Sequence, residues 1–156
     1  MSLTSLLEPA RVLANVDARS RKHALEILSE LIAGSSEAMQ QIDVLEALLE
    51  RERIGSTGLG NGCAIPHGRL PELETSVGAF LKLNEPVDFN AQDGKPVNLI
   101  FAVLLPGSAE DSHFEKVAEV AKALSDPRLA AALLEAGGSR AVFDLLAGYQ
   151  PAAVNV

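Results

Sequence analysis

The sequence predicts one α/β domain with helices on both faces of a central sheet. Val97–Leu105 (VNLIFAVLL) is a near-continuous apolar run rich in branched side chains, the pattern of a strand covered on both faces. Val77, Ala79, Leu81 and Leu83 alternate with Gly78, Phe80 and Lys82, which is the two-residue period of a second strand. Segments with apolar residues at helical spacing lie before and after these two, so strands and helices interleave.

In chain order, 11–16 (RVLANV) reads as a short strand. Ala24, Leu25, Ile27, Leu28, Leu31 and Ile32 follow helical spacing up to Gly34, which ends that helix. A second helix is expected from about Ser36 to Arg53, with Ile42, Leu45, Leu48 and Leu49 on one face. A glycine-rich loop follows, and Asp93-Gly94 marks a turn between the two strands. Ser112 and Glu115 form an S-x-x-E capping box ahead of Val117, Val120, Ala121 and Leu124. Asp126-Pro127 reads as a cap followed by proline at the first helical position, with Gly137 as the stop. Ser139 is expected to cap a last helix through Leu146, and 149–156 to fray. No repeat, low-complexity tract or linker interrupts this order, so 1–156 is read as a single domain with its core at about 5–147 and a tail at 148–156.

Composition narrows the function classes. A chain of 156 residues, 47% apolar, suits one domain with a full core. Thirteen Lys and Arg against 21 Asp and Glu give a formal charge of −8, which argues against nucleic acid or an anionic membrane surface as partner. Cys63 is the sole cysteine, so no internal disulfide forms, and a reducing compartment is expected. No apolar run reaches the ~18 residues of a spanning helix, and the N-terminus lacks a signal-peptide pattern. The expected location is cytoplasmic.

The chemistry concentrates in Gly55–Gly68, GSTGLGNGCAIPHG, where five glycines and a proline surround one histidine. Gly55 and Gly60 have P-loop spacing, but Asn61 stands where the lysine belongs. Gly58 and Gly60 begin a dinucleotide fingerprint that Cys63 breaks, and no G-x-S-x-G is present. Cys63 and His67 lack further ligands at a supporting spacing, so no metal is expected, and Cys63 reads as a small buried hydrophobe. Pro66 fixes its own φ and biases Ile65 to an extended form, while Gly68 lets the chain bend just after His67. His67 is thus either a turn histidine with no chemistry or an imidazole presented to a partner that approaches closely. Arg51 and Arg53 end the preceding helix; both can serve helix carbonyls, and Arg53 can instead neutralise an anion near His67. His113 falls in the first turn of the helix capped by Ser112, where free N–H groups favour negative charge. A neutral imidazole can accept a phosphoryl group if cations and N–H donors surround the equatorial oxygens.

GSTGLGNGCAIPHG resembles the phosphorylation segment of enzyme IIA proteins of the bacterial phosphotransferase system, fructose/mannitol type, and within them the nitrogen-regulatory branch. The flanking L-x-R-E-R (Leu49–Arg53), R-L-P-E-L, E-P-V-D-F, D-G-K-P-V-N-L-I-F-A-V-L-L-P and S-H-F-E-K-V extend the likeness over nearly all of 5–147. The resemblance implies a mixed sheet sandwiched between helix layers. It implies that His67 is phosphorylated by a histidine-phosphorylated carrier of the HPr type, that His113 assists, and that Arg53 lies near the site. Thr57, Gly60 and Asn61 would form the surrounding wall, with Gly68 and Ser112 adjoining it. No cofactor is implied. Regulatory members control target proteins through their phosphorylation state; the alternatives are a sugar-transport IIA that passes phosphoryl to a IIB domain, and a binding module without catalysis. Cys63 stands where the family usually has an aliphatic residue.

Overall fold

A computed structural model describes residues 3–37, 39–107 and 111–150, the side chains of 111–113 excepted. The elements in order are β1 (Val12–Val16), α1 (Arg21–Ala33), α2 (Gln41–Ile54), β2 (Gly58–Gly60), β3 (Cys63–Ala64), β4 (His67–Leu70), β5 (Val77–Val87), β6 (Val97–Pro106), α3 (Asp111–Leu124), α4 (Pro127–Glu135) and α5 (Ser139–Ala147). The six strands form one mixed sheet in the order β1-β5-β6-β3-β2, with β4 also paired to β6. β1 runs parallel to β5, β5 antiparallel to β6, and both β3 and β4 parallel to β6. The expected α/β fold with helices on both faces is therefore present, and the VNLIFAVLL strand is central.

The period of two divides β5 and β6 between two cores. Phe80, Leu99, Phe101, Val103 and Leu105 face α3–α5, where Val120, Leu124, Leu129, Leu133, Val142 and Leu146 cover them. Ala79, Leu81, Ile100, Ala102 and Leu104 face α1 and α2, against Leu25, Leu28, Ile32, Val44 and Leu48. Each large side chain removed from water this way contributes about 1.5–3 kcal/mol before the entropy of ordering is counted.

Several local expectations are corrected. The second helix starts at Gln41, not near Ser36. Its buried stripe is Val44 and Leu48, while Ile42 is 58% exposed. At 100° per residue, positions 44 and 48 share a side, and position 42 lies 200° from 44. Ser139 does not cap α5: Gly138 occupies the N-cap, and the Ser139 hydroxyl accepts instead from the Ala14 N–H at 2.9 Å, tying α5 to β1. α4 is capped as expected, with Asp126 accepting from the Arg128 N–H, but it ends at Glu135, two residues before Gly137. Tyr149 is not frayed, because its hydroxyl donates to Asp126 at 2.9 Å. The first-turn capping box of α3 lies outside the described side chains.

Candidate functional site

The glycine-rich segment is three short strands rather than a loop. Gly58–Gly60 and Cys63–Ala64 form a hairpin around Asn61-Gly62, both in the left-handed region at φ 55° and 82°. Two such residues make the tight turn whose twist matches paired strands. The Asn61 N–H donates to Asp93 Oδ2 at 2.8 Å, which anchors the tip to the loop before β6. The chain then passes through buried Cys63, Ala64 and Ile65 and joins β6 again as β4, starting at His67. Burial alone pushes the Cys63 thiol up to about 11, so it stays protonated and inert near neutral pH.

The His67 ring is half-buried, and its Nδ1 lies 2.8 Å from the Ile65 carbonyl oxygen. A carbonyl only accepts, so Nδ1 carries the hydrogen and Nε2 keeps the free lone pair. Burial of the ring lowers its pKa below the ordinary 6.5; Arg51 lowers it further, while the Ile65 carbonyl and the charge of Glu52 act in the opposite sense. The neutral, nucleophilic form is therefore the resting state at pH 7.

His67 lines an open cavity of about 300 Å³ with Ala47, Glu50, Arg51 and Ile54 of α2, Gly68 and Arg69 of β4, Leu105 and Phe114. Two cations thus share the cavity with the imidazole. Arg51 donates to the Gly55 carbonyl at 2.9 Å, which holds its guanidinium at the end of α2. Arg69 follows His67 by two residues on β4, on the same strand face, and its guanidinium sits 5.0 Å from the ring centre of Phe114. Ile54, 80% exposed, forms an apolar lip.

The expected site residues divide. Gly68 lines the cavity but does not bend the chain: it lies within β4, and a Cβ there would come within 2.8 Å of the Ala47 carbonyl oxygen. Its missing side chain lets α2 approach the strand. Thr57 is buried behind the site, where its hydroxyl donates to Glu52 and its carbonyl accepts from the Ile65 N–H at 3.0 Å. Gly60 and Asn61 are not part of the cavity wall. Gly60 is opposite Cys63, which pairs with Leu99, whereas His67 pairs with Val103; four residues along β6 separate the two by roughly 13 Å. Arg53 is not in this cavity either, but lines a separate depression with Arg21, Lys22, Leu49 and Glu52. Positions 51 and 53 differ by 200° around the helix, so one sequence motif sends its two arginines to opposite sides. The backbone of Ser112 and His113 belongs to the first turn of α3, and Phe114 brings that turn to the cavity; their side chains lie outside the described residues. Sequence reasoning missed Arg51 as a neighbour of His67, Arg69, and the buried Glu52. The cue for Arg69 was its i+2 spacing from His67; Glu52 gave none, since a charged residue in an L-x-R-E-R run reads as solvated. Among the described residues, no group of three or more His, Cys, Asp or Glu side chains could hold a metal ion, and no helix is long and apolar enough to cross a membrane.

The chain thus has a mixed sheet between two helix layers, with a half-buried histidine and two arginines lining one cavity. Residues 5–149 match the family model described as phosphoenolpyruvate-dependent sugar phosphotransferase system, EIIA 2, and the chain belongs to that family. It is 39% identical to a nitrogen regulatory protein of Bradyrhizobium diazoefficiens over 149 residues, covering 94% of this chain and 95% of the relative. A nitrogen regulatory protein of Escherichia coli is 40% identical over 147 residues, covering 94% and 90%. The crystal structure of nitrogen regulatory protein IIA-Ntr from Neisseria meningitidis superposes with a TM-score of 0.85 at 36% identity, covering 92% of this chain and 98% of that one. The mannitol IIA of Escherichia coli shares the fold, with a TM-score of 0.75 at 21% identity, covering 90% and 99%. The similarity is thus higher to nitrogen-regulatory members than to that sugar-specific one.

Proposed function

We propose that this chain is a regulatory phosphocarrier of the phosphotransferase system, in which His67 Nε2 accepts a phosphoryl group from a phosphohistidine of an HPr-like donor. One observation carries the assignment to His67: its Nδ1–H is engaged by Ile65, which leaves Nε2 as the nucleophile beside Arg51 and Arg69. In the transfer, the Nε2 lone pair forms the new N–P bond as the donor's N–P bond breaks, and the electron pair returns to the donor nitrogen. No proton has to leave the ring, because Nδ1–H stays bonded to the Ile65 carbonyl and spreads the charge that develops. Arg51 and Arg69 offset charge on the equatorial oxygens. His113 is assigned an assisting role, supported by its place in the first turn of α3 next to Phe114. The phosphoryl adds roughly −1.5 to −2 charges beside the exposed Ile54 lip, enough to change which target proteins dock there.

The test is incubation with phosphoenolpyruvate, the general phosphotransferase enzyme and the HPr-like carrier. The expected product is one phosphoryl per chain, labile in acid and stable in base, and absent in His67→Ala. Normal labelling of His67→Ala would move the acceptor elsewhere, and no labelling of the unmodified protein would leave a non-catalytic binding module. Rapid onward transfer to a fructose- or mannitol-type IIB domain would favour a sugar-transport role instead.

A further inference from the structure

Glu52 carries a carboxylate that the transfer chemistry does not use, yet the residue is only 7% exposed. Burying a charge is costly unless it is paired and hydrogen-bonded, and Glu52 is both. Its Oε2 accepts from the Thr57 hydroxyl, its Oε1 lies 3.4 Å from the Thr57 N–H, and Arg21 of α1 approaches to 3.7 Å. Thr57 is itself 7% exposed and passes the constraint on: its carbonyl accepts from the Ile65 N–H at 3.0 Å. The Ile65 carbonyl in turn engages His67 Nδ1 at 2.8 Å. Three hydrogen-bonded links therefore run from the last turn of α2 to the imidazole.

From this chain of contacts we infer that Glu52 is a positioning residue for His67: through Thr57 and Ile65 it fixes the carbonyl that selects the Nδ1–H tautomer and leaves Nε2 as the reacting nitrogen. The inference deepens the phosphocarrier reading and rests on it for its catalytic consequence. Glu52 touches neither the imidazole nor the incoming group. Its effect is geometric: Thr57 gains a fixed acceptor for both its hydroxyl and its N–H, so the connection between β3 and β4 that carries Ile65 is held in one position against it. A neutral imidazole whose Nδ1 loses this acceptor redistributes its hydrogen between the two nitrogens, and the Nε2–H form has no lone pair on Nε2 with which to attack phosphorus. Arg21 on α1 approaches the Glu52 carboxylate to 3.7 Å, and Lys22 and Arg53 line the same depression beside it.

The experiment uses the full chain in three variants, Glu52→Ala, Glu52→Gln and Thr57→Val, each with ¹⁵N-labelled histidine. The first readout is the tautomer of His67 by ¹⁵N chemical shift, which needs no phosphorylation. The second is the rate of phosphorylation by the HPr-like carrier. Unmodified protein is expected to show a single Nδ1–H form. Glu52→Ala and Thr57→Val are expected to show a mixture and to react up to about a hundredfold more slowly, the scale of a small misplacement of a reacting group. Glu52→Gln keeps an acceptor for Thr57 and is expected to restore most of both readouts. Thr57→Val preserves volume and keeps the test open if Glu52→Ala fails to fold. An unchanged His67 tautomer in Thr57→Val overturns the inference, whatever the rate; so does a shifted tautomer with an unchanged rate. A shifted tautomer in a protein that is never phosphorylated would count against the phosphocarrier reading alone.

Discussion

The two halves of the glycine-rich segment use the same residue for different physical reasons. In Gly58–Gly62 the backbone needs it: Gly60 and Gly62 have φ of 96° and 82°, and the tip between them is held by Asp93. In Ile65–Gly68 no residue has positive φ, and Gly68 is required because the Ala47 carbonyl occupies the space a side chain would fill. The first half closes a hairpin; the second lets the middle of α2 pack closely on the strand that carries His67. Reading the segment as a single phosphate-cradling loop merges a turn with a packing contact. Only the packing half lines the His67 cavity.

The largest break in this comparison is expected from Gly68→Ala. A Cβ at 2.8 Å from a backbone oxygen cannot be absorbed by a rotamer change, so α2 must move. The expected cost is about 1–3 kcal/mol, measured by urea unfolding, together with slower phosphorylation because Arg51 and Glu52 move with the helix. Next comes the pair Arg51→Ala and Arg53→Ala. Arg51→Ala is expected to slow phosphorylation by at least about tenfold and to raise the pKa of His67, read by NMR titration, while Arg53→Ala changes neither. Equal losses in both would place Arg53 at the site after all. Gly62→Ala should destabilise by about 1–2 kcal/mol through its left-handed backbone, yet leave the phosphorylation rate unchanged, because the hairpin tip lies away from the cavity. A rate loss there would join the two halves into one site.

The smallest effect is a pH slope. The folded ring has a pKa below 6.5, so the unfolded chain binds the proton more tightly. Stability is therefore full above pH 6.5, begins to fall as pH drops through 6.5, and stops falling below the folded-state pKa. Subtracting the urea-unfolding curve of His67→Ala between pH 7.5 and 5 should remove this component; an unchanged slope would mean that the ring is solvated.

Much of the fold was legible because strand and helix periods are local. Val97–Leu105 announced a strand covered on both faces, and Asp126-Pro127 announced a helix start, since both signals are complete within a few residues. Capping at Ser139 was misread because its hydroxyl has two acceptable partners, its own helix and the Ala14 N–H, and only the approach of β1 decides between them. At the site, the five glycines, Pro66 and Gly68 singled out His67 as a candidate but left a turn histidine without chemistry as the other reading.

By itself, then, the sequence determined the alternation of buried faces and the single α/β sheet, because each depends on spacing along the chain. Tertiary structure alone decided that Arg51 rather than Arg53 faces His67, that Gly60 and Asn61 sit at the far end of the sheet, and that Glu52 is buried behind Thr57. Spacing fixes the angle between two residues of a helix, but the rotation of that helix against the sheet is set by which stripe, here Val44 and Leu48, buries the most apolar surface.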